Sequence, residues 1–120
     1  MIYLGCTQEN TFQLPFAESE IAAIYITYCQ KGEIVIEKEK QDCVFKSILV
    51  PPLPTLEEVS SCNMKEVNVV TVTLSQEDSL KFGERSEVQI QIRVRLTNGT
   101  ATKSKIIHEF TDTVLKEGVV

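Results

Sequence analysis

Apolar and polar residues alternate from Val88 to Leu96: Val88, Ile90, Ile92, Val94 and Leu96 fall on one side of an extended chain, Gln89, Gln91, Arg93 and Arg95 on the other. A period of two predicts a β-strand with one buried face. Ile21 to Gln30 has the same period, with Ile24, Ile26 and Tyr28 opposite Tyr25, Thr27 and Cys29, and its β-branched and aromatic content suits a strand. Lys31-Gly32 predicts a turn into Ile34-Val35-Ile36 and the charged run Glu37 to Lys40, so the two segments form a hairpin. Thr11 to Phe16 alternates more briefly and contains Pro15, which confines it to a sheet edge because proline has no amide to donate. Asp42 to Leu49 continues the meander, with Cys43, Phe45 and Ser47 on one face and Val44 and Lys46 on the other. Val67 to Leu74 alternates again and presents Val70, Val72 and Leu74 inward.

Helical signals are few. Ser75-Gln76-Glu77-Asp78 opens like a capped helix, with Leu80 and Phe82 as apolar anchors before Gly83. This predicts one short helical turn near 75–82. Thr55-Leu56-Glu57-Glu58 fits a capping box as well. It lies in a stretch, Pro51 to Glu66, whose opening Pro51-Pro52-Leu53-Pro54 cannot run through a sheet. About seven strands separated by turns and little helix predict an all-β chain, an antiparallel β-sandwich of immunoglobulin-like type in a single domain over residues 1–120, with a small barrel as the alternative. The absence of Trp argues against an antibody-type domain.

The turn after Leu96 has a register that burial decides. A two-residue Asn98-Gly99 loop would set Lys103 opposite Val94 and Lys105 opposite Ile92, turning two ammonium groups toward the core, which is too costly. A three-residue loop, Thr97 to Gly99, pairs Leu96 with Thr100, Val94 with Thr102, Ile92 with Ser104 and Ile90 with Ile106, and frees both lysines to solvent. Its drawback is that Arg93 then opposes Lys103.

The 120 residues carry a net charge of -5, which leaves no surplus of cations to neutralise a phosphate backbone and argues against a nucleic-acid partner. The first residues lack the basic start and apolar run of a signal peptide, and no apolar stretch approaches the length of a membrane span. Synthesis in a bacterial cytoplasm without a membrane span is the expectation. Cys6, Cys29, Cys43 and Cys62 form no close pair, so a thiolate metal site is disfavoured and free thiols are expected over disulfides. His108 is the only histidine; its neighbours Glu109 and Asp112 invite a triad with Ser104 or Cys62, but nothing in the pattern aligns them. The acid pairs Glu57-Glu58 and Glu77-Asp78 are better read as complements to helix dipoles. No phosphate loop, calcium loop or zinc-helix motif is present. The chain is therefore not read as an enzyme, and no cofactor is expected. Tyr3, Tyr25 and Tyr28 lie in or near strand patterns and are assigned to core packing. Candidate partner contacts are Leu53, Leu56, Val59 and Met64, on a long segment suited to docking against a neighbouring subunit, and Gln89, Gln91, Arg93 and Arg95, on the polar face of a strand.

Several runs together carry a resemblance: Ile26-Thr27-Tyr28-Cys29-Gln30, Asp42, Leu74 to Leu80, Val88 to Arg93, and Gly99-Thr100-Ala101 with Ser104. Over residues 11–115 the chain resembles small immunoglobulin-like virion components of phages and prophages from Firmicutes-type genomes. It departs from them in the 51–66 segment, which looks like an insertion between two strands. The resemblance implies a non-enzymatic structural protein of a virion or tail, with other virion proteins or copies of itself as partners. The competing expectation is a bacterial β-sandwich module that recognises a glycan or cell-surface partner.

Overall fold

The computed structural model describes residues 1–50 and 65–112; at Val50 and Lys65 only the backbone is described. Eight strands run in the order β1 (Gln8–Leu14), β2 (Ile21–Gln30), β3 (Glu33–Glu39), β4 (Cys43–Val50), β5 (Lys65–Leu74), β6 (Glu87–Leu96), β7 (Ala101–Lys103) and β8 (Ile107–Phe110), with one helical turn, α1 (Gln76–Ser79), between β5 and β6. They form two antiparallel sheets. One has the order β1-β5-β4; the other runs β3-β2-β6, with β7 and β8 both beside β6. Labelling β1 as B, β2 and β3 as C and C′, β4 and β5 as D and E, β6 as F and β7 with β8 as G reproduces the strand orders of an immunoglobulin-type sandwich. A barrel is ruled out by the two separate sheets.

Alternation decides which side chains the sheets enclose. Ile24, Ile26 and Tyr28 of β2, Val70, Val72 and Leu74 of β5, and Val88, Ile90, Ile92 and Val94 of β6 are all buried. Partly buried Phe12, Cys43 and Phe45 pack against them. Tyr28 fills the centre, where an antibody domain has its strand-C tryptophan. Its ring meets Phe82 edge-on at 5.9 Å between centroids, and its hydroxyl accepts a hydrogen bond of 2.9 Å from the Asn10 amide, which satisfies the one polar atom such a side chain brings into a core.

Two turns are set by backbone sign. Lys31 and Gly32 both have positive φ, 53° and 79°, the signature of the tight turn that suits strand twist. Gly99 also has positive φ, 89°, and closes the three-residue loop: Val94 pairs with Thr102 and Arg93 with Lys103. Beyond Lys103 the expected pairing slips. The Ser104 hydroxyl accepts from the Ile92 amide at 3.0 Å and donates to the Lys105 carbonyl at 2.8 Å, a side-chain substitute for ladder bonds. One residue is absorbed there, so Ile90 faces Ile107 and not Ile106. Ile107 packs on the core, and Ile106 is left exposed. The same interruption splits the last expected strand into β7 and β8, which is why eight strands are found among the described residues where about seven were expected.

The chain before β1 contributes more than its short pattern announced. Ile2 and Leu4 are core residues, and Ile2 makes a parallel bridge to Thr111. The Leu4 amide donates to Asp112 at 2.9 Å and the Gly5 amide to Ser79 at 2.8 Å. β1 begins at Gln8, three residues before the alternation that predicts it, and pairs only with β5, as an edge strand. The expected insertion over 51–66, including the capping box at Thr55 and the contacts Leu53, Leu56, Val59 and Met64, falls on residues 51–64, outside the described residues, apart from its last two.

Candidate interaction surface

The outer face of the five-stranded sheet collects one row of side chains from each pair of opposed residues, because directly opposite residues point to the same side. Three rows follow from the register. Glu39, Tyr25, Arg93 and Lys103 form one; Glu37, Thr27 and Gln91 form the next; Ile34, Cys29, Gln89 and His108 form the third. Arg95 stands beyond the first row, between Ala23 and Ala101. All four expected strand contacts, Gln89, Gln91, Arg93 and Arg95, therefore lie on this one surface.

Charge is sorted across it. In the first two rows Glu37 and Glu39 occupy the β3 edge, whereas Arg93 and Lys103, with Arg95 beyond them, lie on the β6–β7 side; at the start of β6 the outward Glu87 is paired with His108. One pair bridges the divide: Arg93 reaches Glu37 at 3.3 Å, and the same carboxylate accepts the Thr27 hydroxyl at 3.0 Å. The guanidinium also lies over the Tyr25 ring, 5.3 Å from its centroid. An exposed pair of this kind contributes about 0.2–1 kcal/mol, and the ring contact about 0.5–1 kcal/mol, so the gain is chiefly orientation. Arg95, Lys103 and Lys105 make no ion pair among the described residues. Of the two arginines, Arg93 is thus answered by Glu37 across β2.

Two hollows adjoin Arg93 on this face. One, of about 450 Å³, is lined by Tyr25, Arg93, Arg95, Ala101 and Lys103. The other, of about 310 Å³, lies over Cys29, Gln89 and Gln91, with Ile34 and Ile106 at its sides. Tyr25, Ile34 and Ile106 are all exposed, Ile34 by 65%. Assigning all three tyrosines to the core is therefore corrected: Tyr28 is buried, but Tyr3 and Tyr25 are surface residues. Tyr25 sits on the odd-numbered, outward side of β2, and its aromatic character alone does not reveal that.

Several polar groups elsewhere are committed to structure. Ser104 is spent on backbone groups, Glu109 holds the Met1 ammonium at 2.6 Å, and Asp112 accepts the Leu4 amide, so a triad of His108 with Ser104 is not assembled from these groups; Cys62, the other suggested member, lies outside the described residues. His108 instead contacts Glu87 across the β6–β8 pair, both exposed. Asp78 caps α1 through Ser75 and pairs with Lys38 at 2.9 Å. Burial pushes its carboxyl up, but the Lys38 and Ser75 hydrogen bonds outweigh that and hold it below the ordinary value. Burial raises the Cys43 thiol to about 11, helped by Asp42 and opposed by Lys38. Cys6, Cys29 and Cys43 are free thiols, and no group of three metal-ligating side chains occurs among the described residues. No described helix is long and apolar enough to cross a membrane. No protein-family model, curated protein or solved structure matches this chain.

Proposed function

We propose that the protein is a non-enzymatic structural component of a phage or prophage virion or tail, acting as an assembly module through the outer face of its five-stranded sheet. The observation that carries this reading is the sorting of charge on that face. A surface with acid on one edge, Arg95 and Lys103 without an ion pair among the described residues on the other, and exposed Tyr25, Ile34 and Ile106 between and beside them suits docking against another protein surface. A deep pocket for a small substrate would need more enclosure. The resemblance to phage immunoglobulin-like proteins supplies the setting. The test is immunodetection of the chain in density-purified particles from induced cells that carry its gene. Recovery at a fixed ratio to the major particle proteins is expected, and confinement to the soluble fraction would overturn it.

The hollow beside Tyr25, Arg95 and Lys103 favours a second reading, a module for an anionic glycan. Binding to an array of acidic oligosaccharides that is abolished by Arg95→Ala would move the assignment there.

A further inference from the structure

We infer that this face is self-complementary and that two copies of the chain associate through it about a twofold axis running along the strands, between β2 and β6. The inference deepens the assembly reading and rests on it, by naming a second copy as the occupant. Rotation about such an axis lays β3 of one copy over β7 and β8 of the other, and β2 over β6. In the row Glu39, Tyr25, Arg93, Lys103, each Glu39 then meets Lys103 of the second copy, and each Tyr25 meets Arg93. In the row that begins at Ile34 and ends at His108, Ile34 comes over His108 of the second copy, and exposed Ile106, which lines the same hollow as Ile34, lies beside that contact. The acidic and basic edges are satisfied together, twice, as an isologous interface requires.

Within one copy the same charges are too far apart to neutralise each other. Glu39 and Lys103 stand at opposite ends of a four-strand row, about 14 Å apart at the usual strand spacing. An axis perpendicular to the strands would instead lay β3 on β3 and set carboxylates against carboxylates, so the charge pattern selects one of the two orientations. The dimensions suffice for a reversible dimer. β2 and β6 have ten residues each, about 33 Å of strand, and with their neighbours they offer a footprint of about 600 Å² before side-chain relief. A standard stable interface uses about 800 Å² per partner. Sheets meeting face to face with strands nearly aligned are an ordinary packing.

The test is sedimentation equilibrium on the full chain and three variants, each checked for an unchanged thermal midpoint, since Glu39 also caps the turn that follows β3. The wild type is expected to rise with concentration from 13.5 kDa to twice that mass, with half-association in the micromolar range. Lys103→Glu, at a side chain with no hydrogen bond or ion pair to lose among the described residues, is expected to weaken association by about tenfold. Glu39→Lys combined with Lys103→Glu is expected to restore it, because the reversed charges face each other again. Ile34→Asp is expected to abolish it. A wild type that stays monomeric to about 0.5 mM, or a dimer indifferent to both Lys103→Glu and Ile34→Asp, overturns the inference, as does a folded double variant that fails to recover. A monomer in solution that is nonetheless found in purified particles would sink the self-association and spare the assembly reading. A dimer absent from particles would do the reverse.

Discussion

Asp78 shows how much one side chain can be asked to hold. It closes the capping box of α1 with Ser75, pairs with Lys38 of β3 at 2.9 Å, and has Lys81 at 3.7 Å. Its folded-state value lies below the unfolded 3.8, so the unfolded state binds the proton more readily. The stabilisation is present in full above that unfolded value and is lost as pH falls through the lower folded one. Asp78→Asn is therefore expected to cost about 1–3 kcal/mol near neutral pH, with the gap to wild type closing below about pH 4 in denaturant titrations; a gap that stays constant to low pH would show that the carboxylate charge is not what matters. Cys43 is displaced in the opposite sense. Its thiol donates to the Glu39 carbonyl at 3.2 Å and, pushed up to about 11, is almost wholly protonated at pH 8 and a poor nucleophile there. Iodoacetamide at that pH is expected to alkylate exposed Cys6 well before Cys43, read by peptide mass; equal rates would contradict the burial argument.

At the scale of elements, β6 and its turn were the most legible part of the chain. Period-two burial from Val88 to Val94 and the cost of turning Lys103 and Lys105 inward were enough to choose the three-residue loop, and Val94 does face Thr102. Gly99 has φ of 89° with open space around it, so a side chain there meets no neighbour and pays only for its backbone conformation. Gly99→Ala is expected to lower stability by about 1–2 kcal/mol with no change in β6–β7 cross-strand NMR contacts; a neutral effect would mean the loop relaxes to another turn. What stayed hidden was the slip after Lys103. It depends on Ser104 capturing the Ile92 amide, a local hydrogen bond that alternation cannot foresee, and it decides whether Ile106 or Ile107 is buried. The segment before β1 was hidden for a different reason. Ile2 and Leu4 give only one repeat of the pattern, and their burial comes from Thr111 and Asp112, more than a hundred residues away.

For the whole molecule, the class followed from the sum of short alternating runs, because each run has a single face apolar enough to enclose, whereas which strands share a sheet came only from the pairing. The candidate surface was half legible. Gln89, Gln91, Arg93 and Arg95 could be read from one strand, but Tyr25, Ile34, Glu37, Glu39 and Lys103 join them only once the register of four strands is known. The sorting of acid to β3 and base to β7 is a property of the sheet and of none of its strands alone. The central claim is that this face, and not the opposite one, is where two copies of the chain meet. A concentration series of amide NMR spectra of the free chain tests it most directly. Concentration-dependent shifts are expected to cluster at Tyr25, Thr27, Ile34, Gln91, Arg93 and Lys103. Shifts confined to the β1-β5-β4 sheet, around Val44, Lys46 and Thr71, or no shifts at all, would contradict it.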